Sequence, residues 1–165
     1  MNDVSDAVCV EPKPGEWMKP EEFESVIRLT PLVAIDLVVR SPDGQVLVGR
    51  RIHEPAKGVF FVPGGRITKN ETREAAFRRI SREELGKELE LESARFLSVN
   101  DHIYPTNRFH KKGFGTHYIT LAYEVRLSLE TGYLPKDQHE EYAWMSPDEL
   151  VNSPEVHENT KIYFR

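Results

Sequence analysis

The stretch from Val59 to Gly86 constrains the fold most. A brief apolar run, Val59-Phe60-Phe61-Val62, stops at Pro63-Gly64-Gly65, and a helical pattern then extends from about Glu71 to Leu85. Gly86 follows, free to take φ > 0 and so suited to a C-terminal cap. Paired glycines between a buried strand and a helix let backbone approach a ligand closely. At about 100° per residue, Phe77, Ile80 and Glu84 fall within roughly 60° of one another on the helix. Glu84 therefore shares the apolar, inward-facing stripe, where an unpaired carboxylate is costly. A cation or a hydrogen-bond network must compensate it. Glu83 lies a quarter-turn away and reaches Arg79 at i−4, so it reads either as a solvated charge pair or as a second acid of a metal site.

The rest of the chain alternates strands and short helices. Residues 1–16 are polar, with two prolines and a glycine, and read as a tail or arm; residues 17–165 read as one domain. Pro20 to Ile27 starts with proline and acids and places Phe23, Val26 and Ile27 at helical spacing. Pro31 to Arg40 is a β-branched-rich buried strand, and Ser41-Pro42-Asp43-Gly44 a turn into a second strand, Gln45 to Arg51, giving a hairpin. Strands are expected around 94–104 and 116–127, joined by a mobile loop carrying Phe109, Lys111, Lys112, Gly113 and Phe114. A last strand, Tyr142 to Met145, meets Ser146-Pro147-Asp148-Glu149, whose serine and glutamate form a capping box. The pattern is a mixed α/β domain.

Composition narrows the class. In 165 residues the net charge is −5, which argues against a general nucleic-acid or membrane-surface binder. No run approaches the ~20 apolar residues of a membrane span. A single cysteine, Cys9, excludes an internal disulfide. The start of the chain has neither the basic start nor the apolar run of a secretory leader, so the expected location is cytoplasmic.

Spacing around the helix carries the functional signal. Gly65, five residues, Glu71, seven residues, Arg79, then Glu83, Glu84 and Gly86 resembles the Nudix box, six fixed points in a strand–loop–helix context. The resemblance implies an α/β/α sandwich with a mixed sheet that hydrolyses a nucleoside diphosphate derivative, using a divalent metal held by helix acids. Three positions depart from the pattern. Ile80 stands where the family has its first helix glutamate, and Ser81 and Lys87 replace apolar residues. Losing one acid lowers the negative charge of the site, which leaves either a weakened Nudix fold or a chemistry that needs fewer metals.

Outside the box, TPLVAIDLVV, VPGGR, THY at 116–118 and DQHEEYAW at 137–144 resemble the GDP-mannose mannosyl hydrolases, from about Met18 onward. That branch implies water attack at the sugar's anomeric carbon, releasing GDP and a sugar of inverted configuration. It implies one Mg²⁺, for which Mn²⁺ is a possible substitute, bound to the diphosphate, Glu84, the Gly64 carbonyl and the Gln138 carbonyl, with Glu83 as an auxiliary ligand or an Arg79 partner. It implies His139 as general base, with a reference pKa of about 6.5 suited to neutral pH. Arg51, Arg66 and Arg79 match phosphate-facing positions, with Tyr118 and His102 as further donors, and Arg79 has a second reading as the residue orienting Glu83 or Glu71. Asp36, an acid within an apolar strand, needs a partner; the resemblance places it at the substrate, and the alternative is a structural ion pair. Phe109 or Phe114 reads as a guanine-stacking residue, a lid or a dimer contact. A homodimer acting on a small GDP-sugar is expected. A conventional Nudix pyrophosphatase and a non-catalytic nucleotide-sugar-binding module remain open.

Overall fold

The computed structural model describes residues 13–165, so most of the expected N-terminal tail, residues 1–12, lies outside the described residues. The remainder of that tail is tied down: a turn at 13–16 brings the Gly15 amide to donate to Thr68 Oγ1 at 2.8 Å. Helix α1 (Pro20–Leu29) precedes strands β1 (Leu32–Arg40), β2 (Val46–Arg51), β3 (Phe60–Phe61) and β4 (Gly64–Arg66). Helix α2 (Arg73–Leu85), strands β5 (Arg95–Tyr104), β6 (Thr116–Arg126) and β7 (His139–Met145), and helices α3 (Pro147–Asn152) and α4 (Glu158–Lys161) follow. The chain ends in a 3₁₀ turn, Ile162–Phe164.

Seven strands form one mixed sheet in the order β3–β2–β1–β6–β5, with β4 also on β1 and β7 also on β2. β1 and β6 are parallel over nine residue pairs, and the other pairings are antiparallel. Because successive strand residues face opposite ways, β1 serves two cores. Ile35, Leu37 and Val39 pack with Phe77, Ile80 and Leu85 of α2. Val38 packs with Val46, Val48, Val62 and Leu150 on the other face, beside the C-terminal helices. The result is an α/β/α sandwich, as expected. Among the described residues no helix is long and apolar enough to cross a membrane.

Helix α2 is delimited by its ends. Thr72 Oγ1 accepts the Ala75 amide at 3.2 Å, and Gly86 takes φ 68° while donating to the Arg82 carbonyl at 3.0 Å. Glu71, expected inside the helix, lies before it because its carboxylate instead accepts from the amide and hydroxyl of Thr68.

Three further expectations change. The β1–β2 hairpin pairs only at Arg40 and Val46. Beyond that point β1 turns to Pro63 and β4 for its hydrogen bonds, through Leu37 N–H to Pro63 O at 2.8 Å and the Ala34–Asp36 register. Gly64-Gly65-Arg66, expected as loop, is therefore a strand. A side chain at Gly64 would meet the Ile35 carbonyl at 2.5 Å, so only glycine allows this approach. The 105–115 loop, expected to be mobile, is pinned by buried Asn107, whose amide makes four hydrogen bonds to Phe109, Lys111 and Phe114 backbone. Its Phe109 and Phe114 pack into the α1 cluster, with the Phe109 ring 5.9 Å from Phe23.

Candidate active site

The splay of β2 from β1, closed by β4 and α2, leaves a cleft enclosing about 1100 Å³, open solvent included. All eleven candidate catalytic and metal-binding residues line it, namely Asp36, Arg51, Gly64, Arg66, Arg79, Glu83, Glu84, His102, Tyr118, Gln138 and His139, whereas the stacking candidates Phe109 and Phe114 do not and pack on α1 instead. They arrive from six strands or strand ends and one helix, and their states differ sharply.

On the α2 wall, charges are matched. Arg79 Nε and Nη2 donate to the two Glu71 oxygens at 2.7 and 2.8 Å, Nη1 to Glu83 at 2.9 Å, and Nη2 also to the Arg66 carbonyl at 2.7 Å. This bidentate pair is charge-assisted and largely buried. It holds the Glu71 carboxyl below the usual range, although burial alone would raise it. Four of the five Arg79 N–H donors are thus taken by acids and backbone, which gives its orienting role a geometry, while Arg79 still lines the cleft.

One residue along, Glu84 has no such partner. Its side chain is buried, residue exposure 6%, and Oε2 makes no hydrogen bond. Burial pushes the carboxyl up to about 8 against the nearby Arg51 charge and a hydrogen bond from the Gly64 backbone. Ile80, in the place of an acid, is fully buried and packs beneath Gly65, where a Cβ would come within 3.1 Å of it.

His139 lies 3.5 Å from Glu84 Oε2 through Nδ1. The same nitrogen is 3.2 Å from Tyr142 Oη, which spends its one proton on the Pro135 carbonyl at 2.7 Å. Tyr142 therefore presents a lone pair to the imidazole, so the ring proton sits on Nδ1 and Nε2 keeps its lone pair. Residues three apart on a strand normally face opposite ways. Here β7 carries an extra residue between Arg50 and Arg51 of its partner, and this bulge puts both side chains on one side. Gly49 makes room for the ring, since a Cβ there would sit 2.5 Å from His139 Cδ2. Burial, reinforced by Arg51, pushes the imidazole down to about 4, so it is neutral at pH 7. The Gln138 carbonyl accepts the Ile52 amide at 3.1 Å and retains a second lone pair.

Three arginines gather in the cleft without a close ion pair. Arg66 is stacked between Phe23 and Trp17, its guanidinium carbon 3.8 and 4.8 Å from the ring centroids. Burial lowers it to about 10. Arg51 lies 5.4 Å from the Phe61 centroid. Neither guanidinium, nor that of Arg108 on the pinned loop, makes an ion pair within 4 Å among the described residues, although the Arg51 charge acts on Glu84 and Asp36, and Tyr118 lies beside them. This is an anion-binding lining. Trp17, Arg108, Tyr142 and Tyr163 were missed from sequence; only Tyr142, inside the quoted DQHEEYAW stretch, offered a local signal.

Asp36 is buried, and burial pushes it up to about 6 despite the Tyr163 hydroxyl at 2.6 Å. His102, also buried and pushed down to about 4, lies 3.2 Å from Thr120 Oγ1 and 3.4 Å from Tyr163 Oη.

Residues 30–165 match the NUDIX domain. The chain belongs to the NUDIX family. This NUDIX protein is 41% identical over 116 residues, 70% of its own length and 71% of the other, to the low-salt glycan biosynthesis protein Agl8 of Haloferax volcanii. It is 31% identical to a MutT NUDIX hydrolase from Burkholderia pseudomallei, with TM-score 0.66 over 82% of this chain and 96% of that one. The NUDIX domain of Shewanella oneidensis NrtR, solved with ADP ribose, shares the fold at 17% identity, with TM-score 0.60 over 88% and 95% of the two chains.

NUDIX hydrolases generally use divalent metals such as Mg²⁺. Among the described residues no three His, Cys, Asp or Glu side chains gather as a metal cage. Glu84, with its orphaned carboxylate oxygen, lines the cleft together with Gly64 and Gln138, whose backbone carbonyls are further oxygen donors. That set suits a hard cation whose remaining positions go to water and phosphate oxygens.

Proposed function

We propose that this NUDIX hydrolase cleaves GDP-mannose, or a related GDP-hexose, to GDP and free sugar by water attack at the anomeric carbon with inversion. The observation that carries the reading is the pairing of charges along α2 and just before it. Glu71 and Glu83 are held by Arg79, Ile80 replaces a further acid, and Glu84 alone is left unpaired next to a neutral histidine. Attack at phosphorus gains from several carboxylates and metals beside the nucleophile. Attack at carbon needs a base across the sugar and a stabilised leaving group.

In this account His139 Nε2 takes a proton as a water oxygen bonds to the anomeric carbon. The bond from that carbon to the diphosphate oxygen breaks, and its electron pair leaves with GDP. Arg51, Arg66 and Tyr118 meet the leaving charge with donors already in place. Mg²⁺, held by Glu84 and the Gly64 and Gln138 carbonyls with Glu83 as auxiliary, would neutralise diphosphate charge, with Mn²⁺ as a substitute. Asp36 faces the sugar, and His102, whose two ring nitrogens lie against Thr120 and Tyr163, supports it rather than serving as a donor to the leaving group. A relative named for glycan biosynthesis is consistent with a sugar-bearing substrate. The proposal includes a cytoplasmic homodimer.

The rival, phosphorus attack, has Glu83 on its side, since that side chain is 45% exposed and free to be re-aimed. Turnover of GDP-mannose with Mg²⁺ in ¹⁸O-water separates the two. Label in free mannose with unlabelled GDP is expected. GMP and mannose 1-phosphate would overturn the proposal, and binding without turnover would leave a nucleotide-sugar-binding module.

A further inference from the structure

The C-terminal 3₁₀ turn places a residue behind the cleft, against its lining residues Asp36 and His102, that no spacing in the sequence points to. Tyr163 Oη donates to Asp36 Oδ2 at 2.6 Å, across 127 positions in sequence. A tyrosine hydroxyl has one proton. Having given it to Asp36, Tyr163 faces His102 Nε2, at 3.4 Å, as an acceptor. His102 therefore carries its proton on Nε2, and its Nδ1 accepts from Thr120 Oγ1 at 3.2 Å. The directed chain Thr120, His102, Tyr163, Asp36 ends on one carboxylate oxygen. The other oxygen, Oδ1, has no hydrogen-bond partner among the described residues and lies against Gly64, where a side chain would come within 2.7 Å of it.

We propose that Tyr163 is a positioning residue. By fixing one oxygen of Asp36, it aims the other at a hydroxyl of the hexose and so sets the preference among sugars that differ at that hydroxyl. The inference rests on the GDP-hexose reading above and adds to it the part of the site that reads the sugar. A carboxylate held on one side by a neutral donor accepts a sugar hydroxyl in one direction, whereas a carboxylate free to rotate accepts from several. The chain is buried at Asp36, His102 and Thr120, so its direction is not averaged by water.

The test is Tyr163→Phe, which keeps the ring that packs beside Phe164 and His102 and removes only the hydroxyl. We expect kcat for GDP-mannose to fall by about tenfold to a hundredfold, the range of a hydrogen bond to a charged group. The Kd for GDP alone should be unchanged, and the ratio of kcat/KM between GDP-mannose and GDP-glucose should move towards one. Thr120→Val, which removes the far end of the chain, should shift the same ratio by less. Phe164→Leu, in the same turn, should leave the ratio intact. Equal loss of GDP binding in Tyr163→Phe, or an unchanged sugar ratio in a folded variant, would overturn the positioning role. Wild-type protein that releases no free sugar would overturn the function and this inference together, whereas active wild type with Tyr163→Phe at parity would overturn only the inference.

Discussion

Two groups of charges in the cleft are treated in opposite ways. Around Arg79, the carboxylates of Glu71 and Glu83 are satisfied and tied to the Arg66 backbone, so that group is a closed network. One residue further along the same helix, Glu84 keeps an oxygen without a hydrogen-bond partner, and elsewhere in the cleft Arg51 and Arg66 lie beside aromatic rings with no ion pair within 4 Å among the described residues. Closed networks hold a fold together. Open ones cost stability, and a chain that retains them gains from the ligand that completes them. Adjacent residues on one helix thus divide into a brace, Glu83, and a binding group, Glu84.

The comparison predicts different failures on the two sides. On the open side, His139→Gln should lower turnover by about three orders of magnitude or more, with an unchanged melting temperature. A rate within tenfold of wild type would remove His139 from the base role. On the closed side, Glu71→Gln leaves a buried guanidinium short of its partner and should destabilise the fold by about 3 kcal/mol, measured by urea unfolding. A variant as stable as wild type would show that the α2 network is not structural.

Much of this contrast was legible in the sequence, and the reason is locality. Glu84 on the apolar stripe, Gly86 as cap, and the reach of Glu83 to Arg79 follow from helical period alone. Asp36 drew notice because an acid inside LVAIDLVV must find a partner. What could not be read depends on contacts between distant segments. The capture of Glu71 by Thr68 and Arg79 shortened the helix, and the β7 bulge turned His139 towards Tyr142. Tyr163 comes from a C-terminal turn whose only link to β1 is tertiary. The pinning of the 105–115 loop rests on one buried asparagine, a residue whose type reads equally well as exposed turn.

A smaller effect sharpens the same division through pH. Asp36 and Glu84 are raised to about 6 and about 8, so the folded state holds protons that the unfolded chain releases, and their contribution falls as pH rises through those values. His102 and His139 are lowered to about 4, so their penalty appears as pH falls below about 6.5 and is absent above it. Between about pH 4 and 6 the two pairs oppose each other. From about pH 7 to 8 the Glu84 contribution outweighs those of Asp36 and the two histidines, and the melting temperature should drop by roughly 3 °C. Glu84→Gln should abolish that drop, and a drop that persists in the variant would assign it to another group.

The most direct test of the division between Glu83 and Glu84 is a Mn²⁺ titration followed by electron paramagnetic resonance, on wild type, Glu84→Gln and Glu83→Gln in the presence of GDP. Loss of at least tenfold in metal affinity for Glu84→Gln, with Glu83→Gln within about threefold of wild type, is the predicted result. The reverse order, with Glu83→Gln losing the metal and Glu84→Gln retaining it, would contradict the account.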